Sequence, residues 1–151
     1  MPQKVFYFAY GSNMDQERLR DRIGSFHSRK HAILEGYDLV FNKRDSSCRG
    51  AGFANIVKGK GKVEGILYEI DETCLEKLDS IEGVHTNHYN RIEIKVECEG
   101  KLLNAWVYVA NENKVEEGLK PKKEYLNHLL KGQDLLSKEY FKKLQEVKTI
   151  D

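Results

Sequence analysis

Of the residues that could carry chemistry, Glu82 stands apart. Most other carboxylates fall on charged helix faces, or alternate with lysine along residues 89–98, where water surrounds them. Glu82 instead ends an apolar-faced stretch and precedes Gly83, Val84 and a polar loop that leads to Tyr89. At the rim of a cavity, partial burial would raise its pKa toward neutrality, as a proton shuttle needs. On these residues alone, an exposed glutamate at a helix end is the simpler reading.

Other chemistries find less support. Ser12 sits in Tyr10-Gly11-Ser12-Asn13, which lacks the Gly-x-Ser-x-Gly elbow of a serine nucleophile. Cys48 has Arg44 and Arg49 nearby, which could lower its pKa, but no partner in sequence. His27/His31 and His85/His88 have no HExxH context and read as surface histidines. The three cysteines Cys48, Cys74 and Cys98 are scattered, so neither a metal site nor a disulfide framework is expected. Lys58-Gly59-Lys60-Gly61-Lys62 lacks the spacing and the terminal Ser or Thr of a phosphate loop.

A second feature is a turn. Val5–Tyr10 is six uninterrupted apolar or aromatic residues, read as a strand buried on both faces. It runs into Gly11-Ser12-Asn13, where Ser12 and Asn13 could cap the helix-like stretch 15–23. Backbone N–H groups left free at such a junction form a site for a carboxylate or an oxyanion. A tight turn with no ligand fits the same residues, and both readings stay open here.

The elements that must position these residues follow from periodicity. Residues 30–34 and 37–42 read as strands joined by a Glu35-Gly36 hairpin turn, with 43–52 a mobile surface loop. Residues 54–57 are a short strand, 58–62 a solvated turn, and 63–70 another strand. Asp71 is the expected cap of a helix over 72–81, with Leu75, Leu78 and Ile81 on one face and Gly83 as its stop. Residues 89–98 alternate cleanly and pair with 102–110 across Glu99-Gly100. Pro121 opens a helix to Leu130, and Ser137 caps a last helix to about Val147. The expected architecture is α+β: a small mixed, largely antiparallel β-barrel with flanking α-helices.

Composition narrows the partners. At 151 residues, the chain is read as one domain over 1–151. With 25 basic and 24 acidic side chains, its net charge of +1 argues for neither nucleic acid nor an anionic membrane. No apolar run is long enough to span a bilayer and no leader is visible, so a cytoplasmic location is expected.

Three segments taken together carry a resemblance. Tyr10-Gly11-Ser12-Asn13-Met14 is followed by Gly65-Ile66-Leu67-Tyr68 and then by Leu78-Asp79-Ser80-Ile81-Glu82-Gly83, with Tyr89 seven residues past Glu82. In this order they resemble the gamma-glutamylcyclotransferase family, including its AIG2-like and butirosin-pathway relatives. The likeness extends through Tyr108, Tyr125 and the last helix. It implies the family's small mixed barrel and an intramolecular aminolysis: a γ-glutamyl group cyclises to 5-oxoproline and releases an amine or amino acid.

In that likeness Glu82 matches the general acid–base, and Tyr10, Gly11, Ser12, Asn13 and Met14 match the substrate-binding loop. Tyr89, Tyr108 and Tyr125 match cavity tyrosines that position Glu82 or substrate. No metal or organic cofactor is implied, and the expected partner is a small γ-glutamyl compound. The alternative is a non-catalytic module that binds a small carboxylate or a peptide end in the same cavity. A glutamate at position 82 argues against it, because a binder of anions gains nothing from a buried negative charge.

Overall fold

Side-chain alternation along the first strand already calls for two cores. Tyr7 and Ala9 point one way and Phe8 and Tyr10 the other, and all four are buried. The computed structural model describes residues 3–151. Its strands are β1 (Lys4–Ala9), β2 (Ser28–Arg44), β3 (Gly52–Asp71), β4 (Tyr89–Cys98) and β5 (Lys101–Ala110). They close into a barrel in the order β1-β3-β2-β4-β5, with β1 and β5 parallel at the seam and the other pairs antiparallel. Its helices are α1 (Gln16–Ile23), α2 (Cys74–Ile81), α3 (Lys123–Leu130) and α4 (Lys138–Gln145).

The inner core draws on every strand: Phe8, Ala32, Leu34, Ile56, Val63, Leu67, Val96, Ala105 and Val107. The outer core lies between the barrel and the helices, where Tyr7, Ile66, Tyr68 and Ile70 meet Leu19, Ile23, Leu75, Leu78, Leu126 and Leu129. A barrel this small is filled by its own side chains, so ligand space has to open at an end. The α+β mixed barrel with flanking helices is therefore as expected.

The β4–β5 hairpin has the anticipated form. Its ten pairs run in register from Tyr89↔Ala110 to Cys98↔Lys101, and Glu99 and Gly100 take positive φ of 52° and 78°. Ser137 caps α4 by accepting from the Tyr140 N–H at 3.2 Å.

Two turns proposed from sequence are instead bends within long strands. Glu35-Gly36 does not reverse the chain: β2 continues through it, with Glu35 opposite Lys62 and Tyr37 opposite Lys58. Gly36 has the positive φ of a turn residue, 82°, but uses it in a bulge. Lys58–Lys62 is likewise the middle of β3 rather than a turn, and Gly59 and Gly61 leave room there for the Asp38 carboxylate. The reversal falls at residues 45–51, where Asp45 N–H bonds the Ala51 carbonyl at 3.0 Å. Lys43 and Arg44, expected in a loop, are the end of β2, and Lys43 is 5% exposed.

Capping is corrected too. Residues 12–14 form a single 3-10 turn, and the α1 cap is Asp15, which accepts from Glu17 N–H at 3.1 Å. Asp71 ends β3 and meets His27 Nε2 at 2.7 Å, so it does not cap α2. Helix α3 starts at Lys123, two residues beyond Pro121.

Candidate active site

At one end of the barrel lies a cavity of about 270 Å³. Its floor comes from the end of β1 and the turn after it: Tyr7, Tyr10, Gly11, Ser12 and Asn13. Helix α2 delivers Glu82 at its C-terminal end, where the Glu82 N–H closes on the Leu78 carbonyl at 2.8 Å. Gly83 then leaves the helix in the left-handed region at φ 69°, which a β-carbon would disfavour. Ile81, expected on the buried face of α2, is 43% exposed and stands at the cavity rim beside Glu82.

The Glu82 side chain is 18% exposed, and Arg22 Nη1 stands 3.6 Å from its Oε1. Loss of water raises the Glu82 pKa above the usual glutamate value, while Arg22, Arg18 and Lys43 pull it back. A carboxylate at a helix C-terminus meets the negative end of the dipole, which acts in the same direction as burial.

The turn is held from several sides. Tyr68 hydroxyl donates to the Asn13 carbonyl at 2.7 Å, and Asn13 Nδ2 donates to the Tyr7 hydroxyl at 2.9 Å. Arg22 Nη1 donates to Asn13 Oδ1 at 3.0 Å, so the Asn13 side chain serves as a clamp. Met14 and Asp15 N–H groups close on the Gly11 and Ser12 carbonyls. Among the described residues, the amides of Gly11, Ser12 and Asn13 have no hydrogen-bond partner, as the first amides of a helical turn do not. Gly11 also keeps the approach open: a β-carbon there would lie 3.3 Å from the Tyr125 hydroxyl.

The tyrosines form the walls. Tyr10 hydroxyl donates to the Tyr108 carbonyl at 2.5 Å, and Tyr89 hydroxyl to the Ala54 carbonyl at 2.9 Å. Tyr125 hydroxyl accepts from Ala54 N–H at 3.0 Å. Tyr108 hydroxyl donates to Asp79 Oδ1 at 2.8 Å, and the same carboxylate receives Arg91 Nε at 2.8 Å. Burial first, and then in most cases Glu82 or a neighbouring tyrosine, pushes Tyr7, Tyr10, Tyr89, Tyr108 and Tyr125 well above the usual phenol range. They remain neutral at physiological pH and line the cavity.

Glu82, Tyr10, Gly11, Ser12, Asn13, Tyr89, Tyr108 and Tyr125 thus meet around one space. Met14 does not join them. It is fully buried in the outer core behind the turn, against the chain near Gly132.

Five polar residues that the sequence did not single out also line the cavity: Tyr7, Arg18, Arg22, Lys43 and Ser46. Arg18 and Arg22 are four apart and share a face of α1, while Leu19 and Ile23 bury the other. That spacing, directly after the Gly-Ser-Asn turn, was a usable signal. Lys43 gave none, because it was placed in a loop. His88, read as a surface histidine, lines the cavity as well.

A closed mixed barrel with one small charged cavity at its end has the form of an enzyme for a small molecule. The comparisons with known proteins narrow that class. A family model described as "Gamma-glutamyl cyclotransferase, AIG2-like" matches residues 7–127. The gamma-glutamylcyclotransferase of Bos taurus is 30% identical over 99% of this chain and 81% of its own length. The putative gamma-glutamylcyclotransferase YkqA of Bacillus subtilis is 30% identical over 93% of this chain, which spans about half (51%) of that protein. A solved structure of a gamma-glutamyl cyclotransferase superposes with a TM-score of 0.87 at 29% identity, covering 99% of this chain and 90% of that one. The chain belongs to the AIG2-like gamma-glutamyl cyclotransferase family, enzymes that form 5-oxoproline. Among the described residues, no helix is long and apolar enough to cross a membrane.

Proposed function

We propose that this protein cyclises the γ-glutamyl group of a small γ-glutamyl amino acid or amine, with Glu82 as the general acid–base. The α-amine nitrogen attacks the γ-carbonyl carbon. A new N–C bond forms and closes the five-membered ring as the C–N bond to the leaving amine breaks. Glu82 accepts a proton from the attacking nitrogen and returns it to the departing one. The products are 5-oxoproline and the free amine, and no water is consumed.

The observation that carries this reading is a largely buried carboxylate in the same cavity as three unpartnered amides. The amides of Gly11, Ser12 and Asn13 would hold the substrate's α-carboxylate or the negative charge that develops on the γ-carbonyl oxygen. Burial raises the Glu82 pKa above the usual glutamate value, which makes the carboxylate a better proton acceptor for the attacking amine. Nucleophile and electrophile belong to one molecule. A cavity that folds it into the attacking shape can therefore contribute about 7–11 kcal/mol in well-aligned cases.

The test is 5-oxoproline release from a panel of γ-glutamyl amino acids and γ-glutamyl amines, comparing wild type with Glu82→Gln. Turnover of at least one compound is expected, and the variant should lose about 10²–10⁴-fold. No turnover of any compound, or a variant as active as wild type, would refute the proposal.

A further inference from the structure

The cavity holds more positive charge than proton transfer requires. Arg18, Arg22 and Lys43 line it, against the one carboxylate of Glu82. Arg22 faces Glu82 and is held by Asn13. Arg18 Nη1 lies 3.1 Å from His128 Nε2, and the other nitrogen of that ring is 2.9 Å from Asp15 Oδ2. Lys43 has no comparable support. Its ammonium donates to the Arg44 carbonyl at 2.9 Å and forms no ion pair among the described residues. Asp45, two residues on, is turned instead to Lys122 at 3.5 Å and to the Ser47 hydroxyl at 2.6 Å.

Burying an ammonium without a directly paired carboxylate is unfavourable unless something else offsets it. Two rings do so in part: Lys43 Nζ lies 5.6 Å from the centre of Phe53 and 5.7 Å from that of Tyr89. Neighbouring charges act both ways: Asp45 and Glu82 favour the ammonium through their fields, and Lys114 and Arg44 oppose it. Burial and then Lys114 depress the Lys43 pKa, and burial followed by Lys43 and Lys114 lowers that of His88. One wall of the cavity, built from the end of β2 and the starts of β3 and β4, is therefore cationic and aromatic. The turn amides come from a different element, the turn that follows β1, which meets the start of β3 where Gly11 lies against Ala54.

We infer that Lys43 sets leaving-group specificity: its ammonium receives a carboxylate on the departing amine, so γ-glutamyl α-amino acids are favoured over γ-glutamyl amines that lack one. The inference rests on the γ-glutamyl reading of the site. A γ-glutamyl α-amino acid carries two carboxylates, and the cavity offers two separate places for them. The turn amides take the glutamyl carboxylate, and Lys43 takes that of the leaving group. A γ-glutamyl amine would leave Lys43 unpaired as the ligand displaces water. The volume of about 270 Å³ lies just under the roughly 300–1,000 Å³ usual for small-molecule sites, which suits a compact leaving group.

γ-Glutamyl-alanine and γ-glutamyl-ethylamide differ only by that carboxylate, so the ratio of their kcat/KM values isolates it. Any effect of Lys43 on Glu82 is common to both compounds and cancels. The wild type is expected to favour γ-glutamyl-alanine by about 10- to 100-fold. In Lys43→Met and Lys43→Gln the ratio should fall to within about threefold of unity. The Gln variant keeps a donor for the Arg44 carbonyl, which guards against loss of folding. A wild-type ratio at or below one overturns the inference without any variant, and so does a ratio that both folded variants retain. In either case turnover of both compounds leaves the cyclotransferase reading intact. Release of 5-oxoproline from neither compound, nor from any other in the wider panel, removes that reading and this inference with it.

Discussion

Arg22 Nη1 and Glu82 Oε1 face each other at 3.6 Å, joining the helix that follows β1 to the helix that precedes β4. The separation is too long for a hydrogen bond, so Arg22 acts on the carboxylate through its field. Its own N–H is directed to Asn13. Among the described residues, the Glu82 carboxylate accepts no hydrogen bond, which leaves both oxygens available to a substrate ammonium.

Arg22→Met should therefore move the acid limb of the pH–rate profile to higher pH. In the proposed mechanism Glu82 works as a base only above its pKa; burial already raises that pKa, and Arg22 is the leading influence that lowers it. Removing Arg22 lets it rise further. On the limb, each unit of displacement costs about tenfold in kcat/KM. Profiles of the two proteins with one γ-glutamyl substrate make the comparison, and a limb that stays in place or moves to lower pH contradicts it.

Glu82→Gln should stabilise the fold near neutral pH while it removes activity. The native state of the wild type holds the Glu82 proton more tightly than the unfolded chain, whose carboxyl titrates near 4.5. Stability is thus lost as pH rises from that value through the raised native pKa, and stays lost above it. Glutamine has no such loss. Melting curves should place Glu82→Gln above wild type at pH 7–8, with the gap closing below about pH 4.5.

Asp79→Ala should cost about 2–4 kcal/mol in urea unfolding. The Asp79 side chain is 13% exposed and bonds both Arg91, at 2.8 Å, and the Tyr108 hydroxyl, at 2.8 Å. Deleting it leaves a guanidinium half-buried over the Trp106 ring and a phenol without its acceptor. A change under about 0.5 kcal/mol would mean that this network holds nothing in place.

Gly65→Ala should cost about 1–3 kcal/mol and leave the pH–rate profile where it is. A β-carbon at Gly65 would come within 2.5 Å of the Ala9 carbonyl and 2.9 Å of the Phe8 ring, where β1 crosses β3. The residue is thus a requirement of barrel packing. A wild-type midpoint of denaturation in the variant would show that β1 can yield.

Much of this molecule was legible along the chain. The alternation of residues 89–98 with Glu99-Gly100 predicts a hairpin, and the structure forms it pair for pair. The uninterrupted apolar run before Gly11 predicts a strand covered on both faces, and β1 lies between β3 and β5 with a core on each side. These features are local, because strand period and turn residues act over a few positions.

Where local signals were ambiguous, the reading failed. The Gly36 φ of 82° serves a hairpin turn or a bulge equally, and only pairing with the distant Lys58 and Lys62 decides between them. The same misreading hid Lys43, because a strand end aimed into a cavity cannot be told from a loop until the partner strand is in place. The family resemblance carried by three ordered segments, rather than the residues taken singly, pointed to Glu82 and the Gly11-Ser12-Asn13 turn as two parts of one site. Folding brought them to one cavity and added Arg18, Arg22 and Lys43 around the carboxylate. Only the tertiary structure could decide this, since burial and the field at Glu82 depend on groups far from it in sequence.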